Sequence, residues 1–308
     1  MTEDYTTLEY DIPDQLCGKE EVVKVGSIVI PLFFTLLVVF SCIGNLLVLV
    51  ILVLYMKFRC LINILILNLA VSDLLFTFGL PFWASYYIWG WTFGESCCKA
   101  VKFLFYVGFY SSVLFLTLMT IQRYMAVVHP LSDWEKHRGF SVTPFIIWIL
   151  SGAAALLISL RSIILQHDNN LYCEFDSIEA KHMAVYLQSI FFLIAFCIMG
   201  FCHVRMFLKI KQSRIKLRNK TIKLIFCIGL VFFIGWAPYN IVMLLKILQD
   251  YSLSPFTDCK VSIRLDYAFY ACRLLAFSHC CLNPVLYALI GEKFQKHLRM
   301  IQKKICPK

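Results

Sequence analysis

Seven long apolar stretches separated by short polar segments organise this chain. They cover residues 27–55, 61–84, 103–121, 139–160, 183–204, 224–245 and 274–291, and among Asp, Glu, Lys and Arg only Asp73 falls within them. Each reaches 18 residues or more, close to the roughly 20 that a helix needs to cross about 30 Å of hydrocarbon. In lipid the backbone must satisfy its own hydrogen bonds, which makes these segments helices. The short period-two segments of a membrane barrel do not occur. The pattern predicts an all-α membrane protein, a seven-transmembrane helix bundle over residues 27–291. An acidic extracellular tail, 1–26, precedes it. Residues 292–308 follow as a short amphipathic cytoplasmic helix and tail, with Phe294, Leu298 and Ile301 at spacings of four and three.

Composition agrees. Sixty per cent of the residues are hydrophobic and 16% charged, against about 45–50% and 25% in soluble domains. This excludes a water-soluble enzyme and a disordered scaffold. The net charge of +10 suggests nucleic acid only until its placement is read. Lys209, Lys211, Arg214, Lys216, Arg218, Lys220 and Lys223 lie between the fifth and sixth stretches, and Lys293, Lys296, Arg299, Lys303, Lys304 and Lys308 follow the seventh. By contrast, 14 of the 19 acids fall in residues 1–26 and in the loops 85–97, 165–182 and 248–263. Basic residues stay on the cytoplasmic side, so the N-terminus is outside and the C-terminus inside. The basic face meets membrane lipid rather than nucleic acid, and the acidic outer face suits a cationic ligand. The polar, acidic first 26 residues lack the pattern of a cleavable signal peptide. The sequence shows neither the paired acids of an intramembrane enzyme nor the internal repeats of a transporter.

Of 14 cysteines, five lie outside: Cys17, Cys97, Cys98, Cys173 and Cys259. The oxidising exterior permits bridges. Either Cys97 or Cys98 can meet Cys173, and Cys17 can meet Cys259, leaving one thiol over. Close Cys/His spacing of the kind zinc requires is absent outside.

Polar and proline residues inside the stretches are costly in lipid and mark function. They are Asn45 in IGNLLVLV, Asp73 in LNLAVSDLL, Arg123 and Tyr124 in MTIQRYMAVVHPL, Trp148, Trp236 and Pro238 in GWAPYN, and Asn283, Pro284 and Tyr287 in NPVLY. This set, anchors in six of the seven helices in this order, resembles the rhodopsin-like G-protein-coupled receptors. LPFW at Leu80–Trp83, LAFSHCCLNPVLY at Leu275–Tyr287 and the four bridging outer cysteines resemble the chemokine receptors. Trp89–Trp91, TIKLIF and CRLLAFSHCCLNP resemble the XC branch of that family, above all in Arg273, where most members carry glutamate.

The resemblance implies a plasma-membrane receptor that transmits chemokine binding to heterotrimeric G proteins of the inhibitory class. It selects the bridges Cys98–Cys173 and Cys17–Cys259. It implies no cofactor beyond an allosteric sodium ion held by Asp73, Asn45, Ser112 and Asn283. Trp236 and Pro238 would form a pivot in the sixth helix, since proline removes a backbone bond. Asn283, Pro284 and Tyr287 would loosen the seventh, and Arg123 and Tyr124 would meet the G protein. For the ligand, Asp266, Tyr270 and Arg273 share one stripe of the seventh helix. Trp83, Tyr86, Tyr87, Phe105, Tyr110 and Tyr239 complete an aromatic cup. Glu174, Asp176 and Asp266 would attract a cationic chemokine tip, whereas Arg273 would receive a carboxylate or carbonyls. Tyr5 and Tyr10, among acids, are candidate sulfation sites.

Departures from the family are also legible. Gln122 replaces the acidic neighbour of Arg123, implying raised ligand-free signalling. Ala195 stands for the fifth helix's proline and His203 for its tyrosine, and Arg161 sits near the outer rim. Asn219-Lys220-Thr221 is the only glycosylation sequon and falls inside the cell. Cys306 is a candidate palmitoylation site. Gln122 and His203 support a second function, an atypical or decoy receptor that binds chemokine without G-protein output.

Overall fold

The computed structural model describes residues 17–55, 61–130, 142–167, 170–212 and 220–305. Tyr5, Tyr10, the Asn219 sequon position and Cys306 lie outside the described residues. In chain order the elements are α1 (Glu20–Tyr55), α2 (Leu61–Trp89), α3 (Gly94–Val128), α4 (Thr143–Ser159), β1 (Ser162–His167), β2 (Asn170–Phe175), α5 (Ile178–Gln212), α6 (Lys220–Asp250), α7 (Cys259–Phe277), α8 (His279–Ile290) and α9 (Glu292–Ile305). Helices α1, α2, α3, α5 and α6 are each long and apolar enough to cross a membrane, and α7 with α8 makes one further crossing bent by 40°. Helix α4, at 17 residues, sits at the short end of the spanning range and completes a seven-helix bundle. Apolar side chains such as Leu36, Phe40 and Ile43 point outward, as expected where the surroundings are lipid.

The seventh crossing starts at Cys259, fifteen positions before the apolar stretch at 274. Lys260, Arg264, Asp266 and Arg273 depress its hydropathy, yet the helix forms because Asp258 caps it: its carboxylate accepts from the Lys260 and Val261 amides at 2.8 and 3.4 Å. Helix α1 likewise starts at Glu20, inside the acidic tail segment. Both helices project past the hydrocarbon, where polar residues are no longer costly.

Packing depends on small residues and on completing broken backbone bonds. A Cβ on Gly108 would come within 2.8 Å of Phe76, and one on Gly44 within 2.8 Å of Pro284, so α3 meets α2 and α1 meets α8 at close range. Pro284 has no N–H to offer the carbonyl four residues back. That carbonyl, of Cys280, is instead satisfied from α1, by Asn45 Nδ2 at 2.8 Å and Ser41 Oγ at 3.3 Å. The break in α8 is thereby converted into an interhelical joint.

Outside, β1 and β2 form an antiparallel hairpin with Ile164 opposite Cys173. Cys173 is bonded to Cys98 at the top of α3, and Cys17 is bonded to Cys259 at the start of α7. Cys97 remains a free thiol. Trp91, fully buried, donates its amide to Leu171 O at 2.7 Å and its indole N–H to Gly94 O at 2.9 Å. The hairpin is thus fastened over the bundle at two points.

Candidate functional site

Aromatic residues from α2, α3, α6 and α7 line the outer half of the bundle. Trp83 meets Tyr86 at 5.7 Å and Trp91 at 5.9 Å, and Tyr87 meets Tyr270 at 6.1 Å between ring centroids. Phe105 contacts Phe277 at 5.4 Å, while Tyr239 contacts Phe269 at 6.0 Å and Trp236 at 5.6 Å. Tyr110 takes a different place. It is 1% exposed and packs against Tyr106 and Phe191, on the α5 side rather than in the cup.

Arg273 occupies the centre of this aromatic group. Its Nη1 donates to the Tyr87 hydroxyl. Its guanidinium carbon lies 5.3–5.6 Å from the ring centroids of Trp83, Tyr87, Phe269 and Phe277, a distance at which ring faces attract a cation. Its Nε is buried without a hydrogen-bond partner. Lys102, absent from the sequence-based set, is a second interior cation. It is 6% exposed, with Nζ 3.9 Å from the centre of the Phe175 ring.

The acids expected to meet a cationic ligand are differently engaged. Asp266 is held by Lys19 at 2.9 Å and by Lys246, which ties the start of the chain, α6 and α7 together. Asp176 pairs with Arg161 at 2.7 Å. Glu174 is exposed on β2 and carries no ion pair among the described residues.

Below the cup, Trp236 is fully buried and touches residues of two other crossings, α3 and the bent α7–α8, besides one of its own helix. Its ring lies 4.4 Å from Phe109, 5.7 Å from Phe232, 6.1 Å from Phe277 and 5.4 Å from His279. His279 was not singled out by sequence reasoning, although a histidine inside an apolar run is a signal. It donates from Nδ1 to Ala276 O at 2.8 Å and places Nε2 3.8 Å from Asp73 Oδ1, so it joins the Trp236 cluster to the buried acid.

Asp73 accepts from Asn283 Nδ2 at 2.8 Å and from Ser112 Oγ at 3.4 Å. Asn45, expected in the same set, spends its N–H groups on Cys280 O and Ser41 O, while its Oδ1 is buried with no donor. A carboxylate, a hydroxyl and an amide oxygen without a donor are of the chemical kind that a hard cation takes as ligands.

Towards the cytoplasm, Gln122 and Arg123 follow one another near the end of α3. Tyr124 Oη lies 3.3 Å from the His129 ring nitrogen. Tyr287 is buried, its hydroxyl is without a hydrogen-bond partner, and its ring is 6.3 Å from Phe294 of α9. His203 packs edge-on to Phe226 at 5.0 Å, and its Nε2 is also unpartnered.

Comparison with known proteins gives one consistent answer. The family described as 7 transmembrane receptor (rhodopsin family) matches residues 44–287. The chain is 37% identical to human chemokine XC receptor 1, with 97% of this chain and 88% of that protein aligned. It is 34% identical to human C-C chemokine receptor type 8 over 98% of this chain and 87% of the relative, and 34% identical to human C-C chemokine receptor type 4 over 96% and 83%. A multi-pass receptor of the plasma membrane, and not an enzyme, is what the seven crossings and these relatives describe together. The chain belongs to the rhodopsin family of seven-transmembrane receptors, within its chemokine receptors.

Proposed function

We propose that this receptor is of the XC type, and that chemokine captured outside drives nucleotide exchange on a heterotrimeric G protein of the inhibitory class. The observation that carries this reading is an unbroken chain of contacts from cup to cytoplasm. Arg273 rests on Phe277, Phe277 and Phe105 on Trp236, and Trp236 on His279. From His279 the path runs through Asp73 to Asn283, four residues before Tyr287, whose ring meets Phe294. Ligand entering the cup displaces aromatic rings, and close-packed interiors transmit displacement instead of absorbing it. Pro238 removes a backbone hydrogen bond from α6 and so lets the helix turn there, and movement at Trp236 appears at the cytoplasmic end. CRLLAFSHCCLNP with Arg273, and the identity to the XC receptor, support the XC assignment.

The deciding experiment places the full chain, bridges intact, in lipid nanodiscs with an inhibitory-class G protein and a chemokine panel headed by the XC ligand. XC chemokine should bind and accelerate nucleotide exchange. Binding without exchange would favour the decoy function, which Gln122 and the unpartnered His203 and Tyr287 support. Failure of every chemokine to bind overturns the assignment.

Two further outcomes belong to this mechanism. If sodium sits with Asp73, Ser112, Asn283 and Asn45, raising sodium lowers agonist affinity roughly fivefold or more. Asp73→Asn flattens that dependence in a ligand-binding titration, and an unaltered slope would exclude the ion from this place. At the cytoplasmic end, Gln122→Asp sets a carboxylate beside Arg123. Ligand-free exchange is then expected to fall about two- to fivefold, the scale of a partly exposed ion pair, and unchanged basal exchange would count against the role given to Gln122.

A further inference from the structure

We propose that the outer cup receives a negative charge: a carboxylate in the inserted segment of the protein ligand docks on Arg273, with Lys102 as the second cation. This deepens the chemokine-receptor reading and rests on it. A guanidinium presents five in-plane N–H donors and no acceptor. At Arg273 the hydrogen-bond partner among the described residues is one phenol, Tyr87, and the four surrounding rings offer π-faces that stabilise charge without accepting the remaining in-plane hydrogens. Nε is buried and unpartnered, and no carboxylate pairs with Arg273 among the described residues. A buried cation left in this condition is costly. An incoming carboxylate matches the fork geometry and supplies the acceptors that are missing.

The surrounding charges point the same way. Lys102 stands one helical turn above Phe105 on α3, and Phe105 touches Phe277, which lies against Arg273. Its Nζ is buried, has no hydrogen-bond partner and rests on the Phe175 ring. Three outer acids are ion-paired with other residues, Asp266 with Lys19 and Lys246, Asp176 with Arg161, and Asp250 with Lys181 and His182, so Glu174 and Asp176 act on Lys102 only at longer range. Only Glu174, exposed on the hairpin, remains without an ion pair among the acids expected to meet the ligand. A cationic tip would therefore meet two interior cations where the effective dielectric is low. The acidic exterior attracts a basic ligand body, and the interior selects an acidic tip.

The test uses the full chain in lipid nanodiscs with both disulfides intact. Thermal unfolding is followed against 4-phenylbutyrate and its neutral amide, 4-phenylbutyramide, which share shape and differ in charge. The carboxylate should half-saturate at a concentration about tenfold or more below the amide, as hydrogen bonds to a charged group require. Arg273→Gln should remove the difference and Lys102→Gln should reduce it. Equal midpoints on the unaltered chain, a comparison that needs no variant to fold, overturn the proposal. In a second arm, the XC chemokine is changed from acid to amide at each Asp or Glu of its inserted segment. One such change should weaken binding to the unaltered chain about tenfold and leave binding to Arg273→Gln unaffected. If chemokine binds but none of these changes matters, the acidic tip is rejected while the receptor reading stands. If no chemokine binds but carboxylate is still preferred over amide, the receptor reading falls and the anion site stands.

Discussion

Replacing Trp236 by alanine is expected to reduce chemokine-driven nucleotide exchange by about two orders of magnitude while changing chemokine affinity less than about tenfold. Truncating a buried tryptophan costs about 3–5 kcal/mol, and here the loss falls on one junction. The Trp236 ring touches Phe109 of α3, Phe277 of α7 and His279 of α8 at once, while Phe232 and Tyr239 of the same helix each make only part of this set. A ligand shifts a conformational equilibrium only by its difference in affinity for the two states. With the junction empty, ligand in the cup stays in contact with Arg273, Tyr87 and Trp83 but bears on α6 only through Tyr239, near its outer end. Trp236→Phe keeps part of the ring stack and should retain intermediate exchange. Exchange and ligand-binding assays on the same nanodisc preparation separate the two effects. Undiminished maximal exchange in Trp236→Ala would place the coupling elsewhere.

The second large effect is expected from Cys173→Ala, which should weaken chemokine binding about a hundredfold and lower the amount of receptor at the cell surface. Chain-entropy arithmetic for a 75-residue separation gives about 4 kcal/mol. For Cys17–Cys259, separated by 242 residues, the same formula gives more, about 5 kcal/mol. The opposite order is predicted here. The formula treats the intervening chain as coil, whereas inserted helices already restrict their ends. What decides is the attachment that remains. Without Cys17–Cys259, Lys19 still binds Asp266 at 2.9 Å, together with Lys246. Without Cys98–Cys173, the hairpin keeps the Trp91 amide bond to Leu171 O and the contacts of Tyr172 with Tyr86 and of Phe175 with Lys102, while the solvent-exposed Arg161–Asp176 pair only closes its own base and is worth little. Cys17→Ala should therefore cost only about tenfold in binding, and a larger loss there than in Cys173→Ala would refute the argument.

The seven crossings were legible because hydropathy accumulates along a chain, one residue at a time. Where local hydropathy was misleading, it failed for a definable reason. The first half of the last helix is crowded with Lys260, Arg264, Asp266 and Arg273, and each lowers a windowed average. In the folded protein Asp266 is neutralised by two lysines and Arg273 is surrounded by rings, so those residues are compatible with a helix. Family motifs located the buried acid, the tryptophan and the proline positions. They did not point to His279, which connects the first two, nor to the joint that Asn45 makes with the Cys280 carbonyl.

Span number, orientation and the side on which cysteines oxidise follow from the chain alone, because each is a sum over neighbours in sequence. Which charges cancel is a different kind of quantity, fixed by distances between residues far apart in the chain. Lys19 and Asp266 are 2.9 Å apart across 247 positions, and no pattern within either segment announces it. Folding therefore decided that Asp266 is occupied, that Tyr110 faces α5 and that neither Arg273 nor Lys102 has a carboxylate within ion-pair distance among the described residues. Coulomb energy depends on separation and surroundings, both of which exist only after the helices have packed.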